Sequence, residues 1–382
     1  MKLLLVTHYY PAHRGGIEIV AGEVARRLAP ANEITWAASD CDPVPAIEGT
    51  FRAVPMRAAN FIERLAGVPF PLWGPFSCAR LWREVRAADL VHIHDFAYAG
   101  NWLAFIGARV SGKPIVITQH IGLVPFASAF LRTAQRVAHA TVGRWMLARA
   151  DQVVFVSSVV RDYYARFVAF ERPPTVIANG VDLQTFVSAT LQDRRSARVL
   201  LGLDAEMPVL LFVGRFVEKK GLRILEALTK RINNVAWVFA GWGPIDPRTW
   251  NAPNVRVYEN RKGAELVPLY HAADLLVLPS VGEGLPLVIQ ESLSCGTPVI
   301  VGDDTAAAVN GPAAVVMSCR VGTDGEQDRT VDAWEARLRQ ELLAVRAAPN
   351  TRAEAVAFAH ATWSWASCAA QYSALFERLH ER

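Results

Sequence analysis

Cysteine is scarce in this sequence and forms no pattern. The five cysteines are an odd number, they are widely spaced, and none belongs to a Cys-x-x-Cys pair: Cys41, Cys78, Cys295, Cys319 and Cys368. This distribution argues against a disulfide framework and against a cysteine zinc site. It indicates unpaired thiols in a reducing compartment.

The sequence also lacks an apolar run long enough to span a membrane, although its mean hydropathy of +0.18 is positive. Residues 114–131 contain no Lys, Arg, Asp or Glu, but they include Thr118, Gln119, His120 and Gly122. A spanning helix needs about 20 mostly apolar residues. The opening "MKLLLVTHYY" has too short an apolar run for a signal peptide. We therefore expect a soluble, cytoplasmic protein.

No block of Lys and Arg interleaved with aromatic residues is present, which argues against a nucleic-acid partner. The net charge is only +4, and the N-terminal half carries the whole excess. An anionic membrane surface or an anionic acceptor fits this distribution better.

Apolar residues make up 52% of the chain and charged residues 20%, which is a globular composition. Buried-strand patterns such as "KLLLVT", "LVHIH" and "PIVITQ" alternate with helical patterns, and a second series runs from "VLLFVG" to "TPVIVG". This alternation predicts an α/β fold with two doubly wound, Rossmann-like parallel-sheet domains facing a cleft. Ligands of such sheets bind beyond the carboxyl ends of the strands.

The predicted domains are residues 1–188 and 189–360, followed by a C-terminal helix over 361–382. The boundary lies in the polar run "ATLQDRRSAR", which shows no apolar periodicity and suggests a hinge near residues 185–195. The final helix either packs back onto the first domain or is a simple core helix.

Gly15 and Gly16 follow the first strand and precede an amphipathic helix. Paired glycines expose bare backbone, and a helix N-terminus offers N–H groups to an anion. Because Ile17 and Glu18 come next, the G-x-G-x-x-G dinucleotide fingerprint is missing here. The spacing favours a phosphate-facing role, and a flexible loop is the alternative.

"VGRFVEKKG" forms a second strand–turn–helix unit. Gly214 and Arg215 stand at the strand end, and Lys220 stands just before the helix. Two cations and a glycine at the mouth of a parallel sheet suit a diphosphate. A solvated basic turn is the alternative.

Two glutamates, Glu283 and Glu291, lie in the otherwise uncharged stretch "PSVGEGLPLVIQESLSCGTPVI". Pro286 fits the first position of a helix that runs to about Ser294. Glu283 then lies in the loop before the helix and Glu291 inside it. Carboxylates would repel a diphosphate, so we expect both to lie away from the cations and to accept from neutral hydroxyls. The alternative is one acid favoured by the helix dipole and one satisfied core glutamate.

His120 ends the strand pattern "PIVITQH", and "HIHD" places His94 and Asp95 at another strand end. A lone histidine is more often structural, but His120 stands where the cleft is expected. We considered His94 and Asp95 as a metal pair, and Asp40 and Asp42 of "SDCD" as a metal-carrying D-x-D. Neither reading has further support in the sequence.

"SVGEGLPLVIQESLSCGTPVI" resembles the E-x7-E signature of the retaining glycosyltransferases of family four, which have the GT-B fold. "GGIE", "ITQH", "VIANGVD", "VGRFVEKKG" and "YHAADLLVLPS" match other family motifs in the same order. The resemblance covers roughly residues 1–310. It implies transfer of a sugar from a nucleotide sugar to an acceptor hydroxyl, with retention at the anomeric carbon and without a metal or other cofactor.

The resemblance also implies roles for individual residues. Those at the donor would be Gly15, Gly16 and Gly214 near the diphosphate, Arg215 and Lys220 neutralising it, Glu283 on the sugar hydroxyls, Gly284, Leu285 and Leu287 near sugar and phosphates, and Glu291 on the ribose. His120 would hydrogen-bond near the reacting sugar, and Glu18 would meet the acceptor.

Two departures from the family pattern stand out. The usual "EGFG" is "EGLP" here, and Glu259 occupies a strand end where the family usually has glycine. The donor base, uracil or guanine, is therefore left open.

The acceptor is expected on the first domain. "VPFPLWGPFSCARLWREVR" and "FLRTAQRVAHATVGRWMLAR" combine cations with apolar residues and fit docking at an anionic membrane to reach a lipid-linked sugar. A basic helix face above an ordinary core is the alternative. The setting would be polysaccharide, lipopolysaccharide or glycolipid synthesis at the cytoplasmic face of the inner membrane. Two rival functions are an epimerase or hydrolase of nucleotide sugars, and a non-catalytic sugar-nucleotide-binding partner.

Overall fold

In the computed structural model the strands form two separate parallel sheets, each belonging to its own unit of the chain. The structure describes residues 1–45, 51–125, 128–322, 325–348 and 350–381. The first unit contains residues 1–123, 128–179 and 365–381. The second contains residues 180–364 and a short segment at Val124 and Pro125.

The first sheet has seven strands in the order β3-β2-β1-β6-β7-β8-β9, and every pairing in it is parallel. Its strands are β1 (Lys2–Val6), β2 (Glu33–Ser39), β3 (Phe51–Met56), β6 (Leu90–His94), β7 (Ile115–Gln119), β8 (Gln152–Phe155) and β9 (Thr175–Val176). A two-stranded antiparallel ribbon joins β4 (Ala58–Ala59) and β5 (Leu72–Trp73). The strand order reverses between β1 and β6, which is where ligands of such sheets bind.

Seven helices of the first unit connect these strands: α1 (Gly16–Leu28), α2 (Phe61–Ala66), α3 (Pro75–Ala87), α4 (Ala99–Val110), α5 (Ala129–Ala138), α6 (Arg144–Arg149) and α7 (Ser158–Ala165). The central strands are buried on both faces, because helices cover the sheet from both sides. Because these strands are buried on both faces, their sequences are almost continuously apolar.

The second sheet has six strands in the order β12-β11-β10-β13-β14-β15, again all parallel. They are β10 (Val209–Arg215), β11 (Ala236–Trp242), β12 (Val255–Glu259), β13 (Leu275–Leu278), β14 (Val299–Gly302) and β15 (Val316–Cys319). Here the order reverses between β10 and β13, so the turns after these two strands form the expected binding edge.

The helices of the second unit are α8 (Leu191–Leu200), α9 (Leu222–Arg231), α10 (Val267–Ala272), α11 (Leu287–Ser294), α12 (Asp303–Val309), α13 (Gln327–Ala347) and α14 (Thr351–Thr362). The last helix, α15 (Trp365–His380), belongs to the first unit and packs against α1. Arg27 of α1 lies over the ring of Trp365, with the guanidinium carbon 5.4 Å from the ring centre.

Three details differ from the sequence expectations. The polar run expected to be a hinge forms α8, which begins with a capping box between Thr190 and Asp193. Two of its residues are buried, Ala197 and Arg198, so a cation stands on its buried face beside a small apolar side chain. The division between the units falls at Asn179–Gly180 rather than at residue 188. Pro286 is the residue before α11, in extended conformation, rather than its first helical residue.

Candidate active site

In the second unit, the turn between β10 and α9 lies directly against the loop after β13. Gly221 ends that turn with φ 78°, and a Cβ atom there would lie 2.3 Å from the carbonyl oxygen of Pro279. The N–H of Val281 also donates to the carbonyl of Lys219 at 3.1 Å. Only glycine allows this approach, which brings the basic turn next to the loop that carries Glu283.

Arg215 is the last residue of β10 and pairs in register with Trp242, the last residue of β11. Its guanidinium carbon lies 4.8 Å from the centre of the Trp242 ring. The Arg215 Nε atom is buried and has no hydrogen-bond partner among the residues that the structure describes. An aromatic face therefore holds this cation without neutralising its charge.

Lys220 forms an ion pair with Glu283: the distance from Nζ to Oε1 is 2.7 Å, and the side chains are 15% and 11% exposed. Burial raises the pKa of Glu283, but Lys220 and then Lys219 outweigh it, and the net pKa is lowered. Glu283 is therefore ionised at neutral pH. The expectation that it lies away from the cations is wrong, because Gly221 draws the two loops together. Its contact with sugar hydroxyls stays a prediction.

Glu291 lies inside α11, and Glu283 lies in the loop before it. The Tyr270 hydroxyl, from α10, donates to Glu291 Oε2 at 2.7 Å. Burial raises the pKa of Glu291 to about 7, with the Tyr270 hydrogen bond acting in the opposite direction. This carboxyl therefore binds a proton more readily than an ordinary glutamate does.

Gly284, Leu285 and Leu287 form the approach to α11 and its first turn. The first N–H groups of a helix have no partner within the helix, so this end is suited to an anion or a developing negative charge. Arg215, Lys219, Lys220 and Glu283 interact electrostatically with one another at this same edge. The sequence-predicted residues Gly214, Arg215, Lys220, Glu283 and Gly284 are thus brought to one edge of the second sheet.

In the first unit, Gly15 and Gly16 begin α1. A Cβ atom on Gly15 would lie 2.1 Å from Glu18 Oε2, whereas one on Gly16 would meet nothing within 4 Å. Gly15 therefore makes room for Glu18, and Gly16 leaves the backbone open to a ligand. The two glycines therefore have different structural roles, and this difference could not be predicted from the sequence.

Glu18 is deeply buried and pairs with His8, with 2.9 Å between Oε1 and Nε2. Burial opposes its ionisation, but His8 outweighs that effect and lowers the pKa of Glu18. Its other oxygen, Oε2, is buried without a hydrogen-bond partner among the described residues. The His8 ring stacks on Tyr98 with centres 3.6 Å apart. Contact between Glu18 and an acceptor stays a prediction.

His120 follows β7 and lies beside His94, with 2.9 Å between His94 Nδ1 and His120 Nε2. Burial lowers the pKa of His120 to about 3 and that of His94 well below its ordinary value, so both rings are neutral. Asp95 has φ 68°, and its carboxylate accepts from Ala97 N and Gln119 Nε2.

These contacts occupy the residues considered as metal ligands. His94 uses one ring nitrogen on His120, Asp42 pairs with His13 at 2.8 Å, and Asp40 accepts from Ala58 N. Within the described ranges, no group of three or more His, Cys, Asp or Glu is arranged to hold a metal ion.

Four residues that take part in these contacts were not predicted from the sequence: His8, Trp242, Tyr270 and Lys219. His8 and Trp242 stand at the carboxyl ends of β1 and β11, so strand-end position was a usable signal for them. Tyr270 had no such signal, because its role depends on the packing of α10 against the helix that carries Glu291.

Both units match known protein families. Residues 14–185 match the domain described as Glycosyltransferase Family 4, and residues 207–338 match Glycosyl transferases group 1. A D-inositol 3-phosphate glycosyltransferase from Saccharomonospora viridis is 30% identical over 371 residues, covering 87% of this chain and 83% of that protein.

Two solved structures have the same fold. A sucrose-phosphate synthase from Thermosynechococcus elongatus superposes with a TM-score of 0.78, at 20% identity and with 99% of each chain covered. The Anabaena protein Alr3699/HepE, in complex with UDP and glucose, has a TM-score of 0.74 at 16% identity, with 99% of this chain and 100% of that chain covered.

The two parallel sheets and the structural neighbours give the architecture, which is the GT-B fold of two Rossmann-like units. The chain belongs to glycosyltransferase family 4 and is a glycosyltransferase. Among the described residues, no helix is long and apolar enough to cross a bilayer.

Proposed function

We propose that the protein transfers a sugar from a nucleotide diphosphate sugar to an acceptor hydroxyl with retention at the anomeric carbon. The observation that carries this proposal is the cationic edge of the second unit, where Arg215 and Lys220 lie beside the loop leading into α11. A leaving diphosphate is the ligand that this combination of cations and helix N–H groups fits best. The UDP in the Anabaena structure supports this choice of donor.

In the reaction, the bond between the anomeric carbon and the diphosphate oxygen breaks, and the acceptor oxygen bonds to the same face of the sugar. The proton of the acceptor hydroxyl leaves with the departing diphosphate. Arg215, Lys220 and the first N–H groups of α11 stabilise the charge that develops on the diphosphate. Preorganised charges and dipoles of this kind commonly lower the activation barrier more than any other single effect. This scheme requires no metal ion.

The remaining site residues take the neutral parts of the substrates. Glu283 accepts from sugar hydroxyls while Lys220 keeps it ionised, and Glu291 accepts from the ribose. Gly16 offers open backbone to the donor. His120 hydrogen-bonds near the reacting sugar, and the unpaired Oε2 of Glu18 is suited to an acceptor hydroxyl. We propose a lipid-linked sugar as the acceptor, which places the reaction in glycolipid or cell-surface polysaccharide synthesis.

The donor is identified first, by thermal shift with a panel of UDP- and GDP-sugars. Only a ligand that binds the folded state raises the melting temperature. With that donor, the Glu283→Gln variant should lose about a hundredfold or more in kcat while its melting temperature stays close to wild type.

The matched control is Glu218→Gln, because Glu218 lies in the same turn but is exposed and pairs with Arg223 outside the site. Its kcat should equal that of the wild type. Unchanged transfer by Glu283→Gln would remove the site assignment.

A hydrolase or epimerase would act on the donor alone. Incubation of donor without acceptor therefore separates the rival functions, because a transferase releases nucleotide slowly until acceptor is added. Rapid nucleotide release favours the hydrolase, and a changed sugar on intact donor favours the epimerase. Donor binding without any turnover favours a binding partner.

We also propose that the first unit contacts an anionic membrane through α5 and the segment after it. No residue of α5 is buried, Phe130 is 78% exposed, and Arg136 and Arg144 lie exposed on this segment. Phe76 of α3 is 91% exposed. Apolar side chains flanked by cations are the pattern of helices that lie at a bilayer surface.

The protein should therefore sediment with liposomes containing anionic lipid at low salt. Arg136→Glu/Arg144→Glu should weaken this binding, whereas Lys230→Glu, an exposed charge reversal in the second unit, should not. Wild-type protein that stays in the supernatant would disprove the membrane contact.

A further inference from the structure

A buried pair of histidines lies at the carboxyl ends of β6 and β7, next to the point where the strand order of the first sheet reverses. His94 ends β6 and pairs in register with Thr118 of β7, two residues before His120. Side chains two residues apart on a strand share a face, so His94 and His120 are brought together. Their rings are inclined by 22°, and the Nδ1–Nε2 distance of 2.9 Å is that of a hydrogen bond.

The two rings share one proton in this contact. Both are buried, and burial lowers both pKa values far enough that each ring is neutral at physiological pH. A neutral imidazole has one N–H donor and one bare acceptor nitrogen. One histidine must therefore donate and the other must accept, so the tautomer of His94 determines the tautomer of His120.

The other nitrogen of His94 identifies the donor. His94 Nε2 is buried and has no hydrogen-bond partner among the described residues. If His94 accepted at Nδ1, its own proton would sit on Nε2 as a buried donor without a partner. If His94 donates from Nδ1, Nε2 is a bare acceptor instead. Among buried backbone groups of folded proteins, N–H donors without a partner are rarer than acceptors without one. The same preference favours donation from His94 Nδ1, which leaves an acceptor rather than a donor unpaired at Nε2.

We propose that His94 is a positioning residue for His120: it donates from Nδ1 to His120 Nε2 and thereby makes His120 Nδ1 the N–H donor offered to the bound sugar. The identity of that ligand rests on the proposed function, whereas the tautomer and the ring orientation do not. Among the described residues, the His120 ring is hydrogen-bonded at Nε2, to His94, which leaves Nδ1 available for a ligand.

Neighbouring groups keep His94 in place. Its carbonyl accepts from Asn101 Nδ2 at 2.8 Å. Its ring packs against His92, which bonds to Thr118 Oγ1 at 2.8 Å, and Thr118 bonds in turn to the Tyr372 hydroxyl of α15 at 2.9 Å. The C-terminal helix therefore supports the histidine pair through a continuous chain of contacts.

The direct test is the protonation state of His120 in the full-length protein labelled with 15N-histidine. Long-range 1H–15N spectra distinguish the two neutral tautomers, and the His120→Gln variant assigns the His120 signals among the nine histidines. We expect the Nδ1–H tautomer in the wild type. The Nε2–H tautomer in the wild type would overturn the proposal without any variant.

Three variants extend the test. His94→Asn keeps an amide donor close to the position of Nδ1 and should preserve the His120 tautomer. His94→Phe keeps the ring shape but removes the donor, and should shift His120 toward Nε2–H. His139→Phe is the matched control, because His139 is also buried in the first unit but bonds to Tyr163 rather than to His120, and it should leave the tautomer unchanged. An unchanged tautomer in His94→Phe would overturn the proposal.

Kinetics then connect the tautomer with turnover. His94→Phe should lower kcat about ten- to hundredfold with little change in the donor KM, because orientation rather than binding is lost, and His94→Asn should recover most of it. Equal kcat in His94→Phe and wild type would reject the positioning role while leaving the transferase proposal intact. Absence of transfer by the wild type with every donor would reject the transferase proposal, while the spectra would still decide the tautomer.

Discussion

At the scale of single residues, the two cations of the second unit are held in different ways. Lys220 is neutralised by Glu283, whereas Arg215 rests on the indole face of Trp242. A paired carboxylate offsets part of a cation's charge, whereas an aromatic face orients the cation and leaves its charge available. Arg215 is therefore the cation better prepared to receive a diphosphate.

This arrangement predicts a role for Trp242. Trp242→Leu should raise the Kd for UDP or GDP by about fivefold. The reason is that a partly exposed cation–π contact contributes about 1 kcal/mol to holding the Arg215 guanidinium in place. Titration calorimetry of both nucleotides measures the change. Trp242→Phe keeps an aromatic face and should stay near wild type. Equal affinities for the Leu and Phe variants would contradict this role.

At the scale of elements, α8 shows how a polar run becomes a structural helix. Asp274, just before β13, accepts from Arg194 and Arg198 of α8 at 2.7 and 2.9 Å, and from Arg346 of α13 at 3.4 Å. Arg198 also donates to the carbonyls of Ala205 and Ala272. One buried carboxylate thus joins two helices to the sheet, although α8 has little apolar surface of its own.

Removal of this carboxylate should destabilise the second unit strongly. Asp274→Ala leaves the buried Arg198 and the partly buried Arg194 and Arg346 without their anion. We expect a loss of about 3 kcal/mol in the free energy of unfolding. Urea titration followed by circular dichroism measures it. The control, Glu226→Ala, removes an exposed pair with Lys230 and should change stability by less than about 0.5 kcal/mol. Similar losses in both variants would mean that Asp274 does not anchor α8.

At the scale of the whole molecule, buried ionisable groups divide unevenly between the units. In the first unit, burial lowers the pKa values of His92, His94, His120 and His139, and raises that of Asp95 to about 6. In the second unit, burial lowers the pKa of His271 and raises that of Glu291 to about 7. The two units should therefore respond differently to mild acid.

The sign follows from proton binding. An unfolded histidine binds a proton as the pH falls through about 6.5, whereas the four folded histidines of the first unit stay neutral at pH 5. Each of these four therefore contributes a loss of about 1.4 kcal/mol per pH unit below about 6.5. Asp95 and Glu291 act oppositely, because their folded forms bind the proton first. Four histidines outweigh one carboxyl in the first unit, while one histidine and one carboxyl oppose each other in the second.

Between pH 7 and pH 5, the protection factors of amide hydrogens should therefore fall more in β6 and β7 of the first unit than in β13 and β14 of the second. Protection factors are compared rather than raw rates, because the intrinsic exchange rate itself slows as the pH falls. Mass spectrometry of peptic fragments resolves the two units. His139→Phe removes one titrating group outside the candidate site, and it should reduce the acid sensitivity of the first unit. An equal fall in both units would contradict the assignment.

The fold class and most residues of the candidate site could be predicted from the amino-acid sequence. Apolar runs alternating with helical periods specify parallel sheets, since strands buried on both faces must be apolar throughout. The glycine pair, the basic turn and the two glutamates were found because strand-end positions mark where such sheets bind ligands. The family resemblance carried by those motifs was confirmed.

The contacts between these groups could not be predicted from the sequence and follow from the three-dimensional fold. It placed Glu283 on Lys220, Arg215 on Trp242, Glu18 on His8 and Tyr372 of the last helix in the chain of contacts behind His94. Each pair joins residues distant in sequence or on different loops. The local sequence pattern of a segment indicates its periodicity and its polarity, but it does not indicate which other segment it contacts. Those contacts depend on the order of the strands in the sheet and on how closely two backbone segments approach each other. At Gly221 that approach was possible only because a side chain is missing.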